Sequence, residues 1–393
     1  MMKVTGLQVF WMITIMDLGM TLIMTLTPSL QAAKQDVWIS MLVAGCIALL
    51  ITLLVTNVAL LYPDQTLIQF SQTILGKWIG SIVVVIYLVQ WYTILPIVLR
   101  QFNDVIQIML LPATPKVAIM FIMILLIVYA TYSGGIEGIG RLSEILGPII
   151  ILMIAVVLAA SLNNVDLKHL LPVYADSGIA GIINGAKAPA SYLGHAVEYL
   201  MLASFLYQPR KGAPYAYWGV ITASFFALIS MVMATVTIGV NLSPQLWYPF
   251  FEMSRKISLF GFIENFDALT VVIWVASVFI KLAIYLFVTS YGTAQFLGIK
   301  NWRNLIWFIA PVILIFALFP KNVSEATSNY LLHYWVPVAL PVNMIGLPFA
   351  YRRENETKET PYAVKWRCVM RVYALRIFAN DNQCLKWMIS MPI

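Results

Sequence analysis

Charged side chains interrupt three of the long apolar stretches of this chain. Asp17 lies in the first stretch, Glu198 in the sixth and Lys281 in the eighth. A charged side chain at the centre of a bilayer is unfavourable by about 2.5–3.5 kcal/mol on insertion scales, and such residues usually pair or line a pathway for a polar solute. These residue types therefore indicate binding chemistry inside a membrane.

Asp17 and Gly19 occupy the middle of the apolar stretch 5–27, and glycine weakens a helix at that point. Two interpretations remain open. Asp17 either lies nearer an interface, or is neutral and hydrogen-bonded to a neighbouring helix. Alternatively, the helix is discontinuous and its freed backbone groups line a buried site, as in transporters built from inverted repeats. The second interpretation predicts another interrupted span at the start of the second half.

The stretch 184–206 meets that expectation. It contains Pro189, Gly194, His195 and Glu198. Proline removes a backbone donor and glycine relaxes the helix, so interrupting the helix near 189–195 costs little free energy. The alternative is a helix that is kinked but continuous.

The composition sets the class of protein. Of 393 residues, 61% are hydrophobic and only 10% are charged, and the mean hydropathy is +0.86. These values predict an all-α polytopic membrane protein in contact with lipids. The net charge of +7 does not indicate nucleic acid, because the basic residues lie mainly between spans and in the tail, without an aromatic groove.

Apolar runs predict ten transmembrane helices, which divide into two sets of five. We expect a first five-helix repeat over 1–165, a second over 166–350 and a cytoplasmic tail over 351–393. The basic residues that directly follow the tenth span favour a cytoplasmic C-terminus. The predicted spans are 5–27, 38–61, 80–101, 117–133, 145–162, 184–206, 217–240, 268–292, 304–319 and 335–350.

Lys281 lies too deep in the eighth span to reach either surface easily. In a five-plus-five inverted repeat the first and eighth spans are neighbours. We therefore predict an Asp17–Lys281 pair where sodium-coupled relatives hold a cation. The competing hypothesis is that Lys281 alone takes the structural part of that cation.

Two further segments carry charge. Glu137, Arg141 and Glu144 share one helical face, as an interfacial salt-bridge ladder or as an inner gate. The segment 247–274 mixes aromatic and charged residues, and would form either a lid over the outer mouth or an ordinary interfacial helix. None of the three histidines has another metal-ligating residue at a suitable spacing, and the sequence contains no catalytic motif. We therefore expect no metal, no cofactor and no enzyme activity.

Several of these segments together resemble the B subunit of spore germinant receptors, the endospore germination permease family within the amino acid–polyamine–organocation superfamily. The resemblance covers about residues 4–350. It differs at Gly19-Met20-Thr21, where members usually have Gly-x-Gly, and at Asn265, where they often have Arg. The segments that carry it are Gly19 and Pro28 with Trp38-Ile39-Ser40, GGIEGIGRLSEILGP at 134–148, Glu198, and the stretch from Tyr248 to Lys281.

The resemblance implies a LeuT-like fold with broken helices 1 and 6 in the inner membrane of a bacterial spore. It also implies a complex with an A subunit and a lipoprotein C subunit that senses a small nutrient, such as an amino acid or a sugar. The alternative function is a proton-coupled amino acid permease. The ligand pocket is expected to comprise Asp17, Gly19, Met20, Thr21, Tyr92, Ser191, Gly194, His195 and Glu198, with Lys281 as coupling residue or cation mimic.

Overall fold

The computed structural model describes residues 2–322 except 175, 260–262 and 265, and beyond them Glu325 and Pro337. Almost all of this part of the chain is helical. A single pair of two-residue antiparallel strands occurs among the described residues, β1 (Ser258–Leu259) and β2 (Ile263–Glu264). The predicted tenth span 335–350, apart from Pro337, and the tail 351–393 lie outside the described residues.

The first span forms helix α1 (Gly6–Met24) and continues, after a bend, as α2 (Leu26–Ala33). Thr5 caps α1 in a capping box with Gln8. The predicted interruption at Asp17 and Gly19 is misplaced, since both residues lie within α1 and the backbone departs from helix at Thr25 instead. Asp17 is thus presented by a continuous helix.

The next three helices carry four of the predicted spans. They are α3 (Val37–Leu61), α4 (Leu67–Met109) and α5 (Lys116–Ala160). A straight helix as long as α5 would extend about 65–70 Å, roughly twice the apolar thickness of a bilayer. Gly135, with φ of 55°, breaks α5 into the predicted fourth and fifth spans. Gly76, with φ of 78°, likewise separates the predicted surface segment 62–79 from the third span.

The second half opens with an interrupted helix, as predicted. Helix α6 (Gly178–Leu193) ends at Gly194, a 3-10 segment follows over Gly194–Glu198, and α7 (Tyr199–Leu202) resumes the path. Pro189 lies inside α6, one turn before the change. His195 and Glu198 therefore project from a segment whose backbone is wound differently from the helices around it.

The remaining helices are α8 (Ala213–Ile238), the short α9 (Pro249–Arg255), α10 (Asp267–Leu297) and α11 (Trp302–Ala317). Nine of the ten predicted spans thus coincide with helices in the described part of the chain. Within that part, six helical stretches are long and apolar enough to cross a membrane. Among the spans, α1 and α10 are buried for most of their length, and these two helices position the central polar residues.

Helices α1 and α10 approach closely at Gly19. A Cβ atom at Gly19 would lie 2.2 Å from the Cβ of Ser277. Gly19 therefore allows a tight helix crossing, in the manner of small residues at membrane helix interfaces. This crossing brings the part of α1 that holds Asp17 against the part of α10 that holds Lys281.

Candidate functional site

Four ionisable side chains from three helical segments meet in the interior: Asp17 of α1, His195 and Glu198 of the 3-10 segment, and Lys281 of α10. We call them the central cluster. Asp17, Glu198 and Lys281 have no exposed surface, and His195 is 2% exposed. Burial of this much polar chemistry requires either internal pairing or a ligand.

Lys281 makes the principal contacts within the central cluster. Its Nζ lies 2.7 Å from Nδ1 of His195 and donates a 3.2 Å hydrogen bond to the carbonyl oxygen of Met16. With a charged ammonium as donor, Nδ1 of His195 is the acceptor and the imidazole is neutral. Lys281 therefore joins α10 both to the backbone of α1 and to the interruption of the sixth span.

Aromatic rings enclose this contact. The His195 ring meets Tyr192 and Tyr285 edge-on, at centroid distances of 5.9 and 5.8 Å. The Lys281 ammonium lies 5.4 Å from the Tyr192 ring centroid and 6.0 Å from that of Tyr285. Both distances lie within the range of cation–π attraction. The rings thus stabilise a cation while excluding water.

The predicted Asp17–Lys281 ion pair is absent among the contacts of the described residues. Asp17, Glu198 and Lys281 interact electrostatically, but Lys281 makes its direct contacts to His195 and Met16 instead. Neither carboxyl oxygen of Asp17 has a hydrogen-bond partner in the part of the chain that the structure describes. The prediction failed because His195, on the interrupted helix, takes the place expected for Asp17.

Two residues of α4 complete the surroundings of Glu198. Tyr87 and Trp91, one helical turn apart, are buried, and both interact with the Glu198 carboxyl. Tyr285 of α10 interacts with the same carboxyl group. Sequence reasoning missed Tyr87, Trp91, Tyr192 and Tyr285. Tyr87 lies four residues from Trp91, Tyr192 three residues from His195, and Tyr285 four residues from Lys281. This spacing places each pair on one helical face, and it is the sequence signal that would have found them.

The other residues predicted to bind ligand have defined structural contacts. Gly19 lies at the crossing with α10, and the Thr21 hydroxyl donates to the Asp17 carbonyl at 2.6 Å. Met20 and Gly194 are buried. The Ser191 hydroxyl donates to the Lys187 carbonyl at 2.7 Å, and the Tyr92 hydroxyl lies 3.2 Å from the Thr293 hydroxyl. Their role in ligand binding stays a prediction.

The predicted ladder on α5 is only partly formed. Arg141 and Glu137 form an ion pair at 2.6 Å, with exposed fractions of 69% and 36%. Glu144 does not extend it, and accepts a hydrogen bond of 3.0 Å from Gln8 of α1. Glu144 thus joins the fifth span to the first, which leaves the gate hypothesis without the third member of its ladder.

The short helix α9 lies within the segment predicted as a lid and packs against α8 and α10. Arg255 pairs with Glu252 at 3.5 Å and with Asp267 at 3.6 Å, which ties α9 to the start of α10. Burial, together with the nearby Asp104 carboxylate, raises the pKa of the Tyr248 phenol above its ordinary value. Tyr248 therefore stays a neutral donor at physiological pH. Asn265 of the same segment lies outside the described residues.

Backbone hydrogen bonds join the start of the first span to the end of the sixth. Val4 and Leu206 form a parallel bridge, with Val4 N–H donating to the Phe205 carbonyl at 2.8 Å and Tyr207 N–H donating to the Val4 carbonyl at 3.1 Å. Lys3 Nζ also donates to the Leu206 carbonyl at 3.2 Å. A cleft of about 230 Å³ lies beside this contact. The start of the first span is thereby fixed to the end of the sixth.

The helices that can span a membrane and the shared architecture define a polytopic membrane protein with a LeuT-like fold. The chain superposes on the crystal structure of MhsT in complex with L-phenylalanine with a TM-score of 0.67, covering 99% of both chains. The sequences are only 12% identical, so the likeness shows the shared fold alone. It confirms the predicted LeuT-like architecture.

A family model described as "Spore germination protein" (spore permease) matches residues 3–326, and the chain belongs to this family. The spore germination protein YndE of Bacillus subtilis is 25% identical over 296 residues, which are 75% of this chain and 81% of the relative. Spore germination protein KB of the same organism is 25% identical over 345 residues, 85% of this chain and 90% of the relative. The resemblance identified from the sequence is confirmed.

Proposed function

We propose that this protein is the nutrient-sensing subunit of a spore germination receptor. It binds a small ligand, an amino acid or a sugar, at the central cluster, in a complex with an A subunit and a lipoprotein C subunit in the inner membrane of the spore. Ligand binding shifts the scaffold between two states, and the partner subunits report the shift. The ligand can do this only through its different affinities for those states.

One observation carries the proposal. The interrupted sixth span places the buried Glu198 near Asp17 in the interior, and both carboxyl oxygens of Asp17 are buried without hydrogen-bond partners among the described residues. Such groups destabilise a fold unless something else satisfies them. A polar ligand that enters between the two helices would do so.

The alternative is a proton-coupled amino acid permease. The contact between Lys281 and His195 favours it, because two adjacent bases in a buried site can hold or release a proton as the surroundings change. Sensor and permease require the same pocket. They differ in whether bound ligand is released on the other side of the membrane.

The test measures binding and uptake in parallel. Labelled amino acids, sugars and nucleosides are offered to the protein in lipid membranes, alone and with the A and C subunits, and uptake is measured in proteoliposomes. The sensor predicts saturable binding without accumulation. Gly194→Trp fills the interruption and should abolish binding, whereas Gly138→Trp, at a glycine whose added Cβ would meet nothing within 4 Å, should not.

Two results would contradict the proposal. Accumulation driven by a proton gradient, without partner subunits, establishes the permease. Absence of saturable binding by every class, in the complete complex, removes the ligand site altogether.

A further inference from the structure

The cleft of about 230 Å³ beside the Val4–Leu206 bridge lies apart from the central cluster. Its walls come from the start of α1, from the segment that follows the sixth span and from the start of α8. Gly6 of the cleft lies about 16 Å along α1 from Asp17, at about 1.5 Å per residue. A molecule bound in the cleft would therefore not compete with a ligand at the central cluster.

The cleft is positively charged. Lys211 lines it, and no acidic side chain does so among the described residues. Within the same part of the chain, no carboxylate forms an ion pair with the exposed Lys211 ammonium. Arg210 adjoins Lys211, and Lys3 donates to the carbonyl oxygens of Ser204 and Leu206 at 3.4 and 3.2 Å. Since carbonyl groups are neutral, these contacts leave the positive charge of Lys3 in place.

Two helices begin at this cleft. Thr5, the N-cap of α1, and Gly212, the N-cap of α8, both line it. The first N–H groups of a helix have no acceptor within the helix and carry a partial positive charge, which favours a nearby anion. A Cβ atom at Gly6 would lie 2.2 Å from Cε2 of Tyr215, so the Tyr215 ring packs directly on the start of α1. An anion in the cleft would thus meet two helix ends as well as the lysine.

The mouth of the cleft is surrounded by exposed aromatic rings. Helices α1 and α8 are both long and apolar enough to cross a membrane, and the cleft lies at their first residues. Tyr207 is 66% exposed, Tyr215 is 42% exposed, and Trp218, one turn further along α8, is 62% exposed. Exposed tyrosine and tryptophan at the ends of spans are typical of the membrane–water interface. The cleft therefore opens at the depth of the lipid headgroups.

We propose that this cleft binds the phosphate group of an anionic phospholipid. The phosphate would accept a hydrogen bond from Lys211 and face the two helix N-termini, while the acyl chains would lie against the exposed rings of α8. A soluble phosphate compound carries the same charged group but would bury none of this apolar surface. Because the lipid would bind beside the contact of the first and sixth spans, it should stabilise the folded protein.

The experiment follows thermal unfolding of the full chain in detergent while lipid is added. The lipids are phosphatidylglycerol, which is anionic, and phosphatidylcholine with the same acyl chains, which has no net charge. Glycerol 3-phosphate and inorganic phosphate test for a soluble ligand. The variants are Lys211→Gln and Lys211→Arg. Lys300→Gln is the matched control, because Lys300 is also an exposed lysine beside the end of a span.

We expect phosphatidylglycerol to raise the unfolding temperature in a saturable manner, and phosphatidylcholine to have little effect. Lys211→Gln should weaken phosphatidylglycerol binding about 5-fold, as expected for the loss of one lysine beside an anionic headgroup. Lys211→Arg keeps the positive charge and should bind like the wild type, as should Lys300→Gln. Since Lys211 is exposed, neither of its replacements should prevent folding.

Three results would overturn the inference. Equal stabilisation by the two lipids would show that the charge of the headgroup is not recognised. An affinity that falls no further in Lys211→Gln than in Lys300→Gln would show attraction to the overall positive charge of the protein, without a defined site. Glycerol 3-phosphate that binds as tightly as phosphatidylglycerol would assign the cleft to a soluble phosphate compound. None of these results bears on the central cluster, so the proposed function stands or falls separately.

Discussion

Lys281 and His195 contact each other inside the protein, with Nζ of one 2.7 Å from Nδ1 of the other. The two residues lie 86 positions apart, on α10 and on the interruption of the sixth span. Their contact therefore joins the interrupted sixth span to the continuous helix α10. Any movement of the 3-10 segment on ligand binding must therefore act on Lys281, and through its bond to the Met16 carbonyl on α1.

Lys281→Met should destabilise the protein by about 3–5 kcal/mol, because it leaves the Asp17 and Glu198 carboxyl groups without a buried cation. Methionine approximates the volume of lysine, so packing is largely kept. The measurement is thermal or denaturant unfolding in detergent. Asp17→Asn/Lys281→Met should regain part of the loss, since it restores the balance of charge.

Lys300→Met is the control for that experiment, because Lys300 is exposed in the turn after α10. Its unfolding free energy should match the wild type. A double variant no more stable than Lys281→Met alone would mean that lost packing, and not charge, explains the defect.

Gly19→Ala should destabilise the protein by about 1–3 kcal/mol through overpacking of the α1–α10 crossing. The new Cβ would lie 2.2 Å from the Cβ of Ser277, which cannot yield without moving a helix. Ser277→Gly opens the same space from α10, so Gly19→Ala/Ser277→Gly should be more stable than Gly19→Ala. Unfolding in detergent measures both.

Gly138→Ala is the matched control, since a Cβ there meets nothing within 4 Å. It should be neutral or stabilising by up to about 1 kcal/mol, because alanine favours helix over glycine. A Gly19→Ala protein as stable as Gly138→Ala would show that the two helices are less tightly packed than the structure indicates.

The sequence predicted the helices and one of the two interruptions, for physical reasons visible at particular residues. Pro189 and Gly194 lower helix stability within five residues, and the change to 3-10 winding begins at Gly194. Gly19 gives the same signal in the first span but serves a different purpose, a close helix crossing. A glycine within an apolar run does not distinguish a break from a tight contact.

The central cluster was predicted as a set of residues but not as a set of contacts. Asp17, His195, Glu198 and Lys281 each stand out as polar groups in apolar runs, which is a local property of the sequence. Which of them touches Lys281 depends on the rotation of α10 against α1 and α6. Packing of many apolar side chains sets that rotation, so it cannot be predicted from any short stretch of the sequence.

The two contacts on α5 should differ in their effect on stability. Arg141→Ala removes an ion pair whose partners are both exposed, so we expect a change of about 0.2–1 kcal/mol or less. Gln8→Ala removes the side-chain acceptor of the Thr5 N–H, which is half of the capping box, and also the hydrogen bond to Glu144, and should cost about 1–3 kcal/mol. Unfolding of the two variants beside wild type measures the difference.

Raising the salt concentration provides an internal check, because screening weakens exposed ion pairs far more than part-buried neutral donors. The effect of Arg141→Ala should shrink in high salt while that of Gln8→Ala persists. An Arg141→Ala defect larger than that of Gln8→Ala would support the gate hypothesis for Glu137 and Arg141.

The parallel backbone bridge between Val4 and Leu206 should keep the first and sixth spans together, and a disulfide would make this contact permanent. Paired backbones lie about 5 Å apart, within the range that a disulfide spans. Val4→Cys/Leu206→Cys, in a background with Cys46, Cys368 and Cys384 replaced by serine, should cross-link on mild oxidation. Gel mobility before and after reduction measures the extent.

The cross-linked protein separates the sensor from the permease. If the Val4–Leu206 bridge must open for release of ligand, oxidation should abolish proteoliposome uptake by a permease and leave equilibrium binding unchanged. Reduction should then restore uptake. Each single cysteine variant controls for the substitutions. Full uptake by fully cross-linked protein would show that the bridge stays intact throughout transport, and that solute leaves by another route.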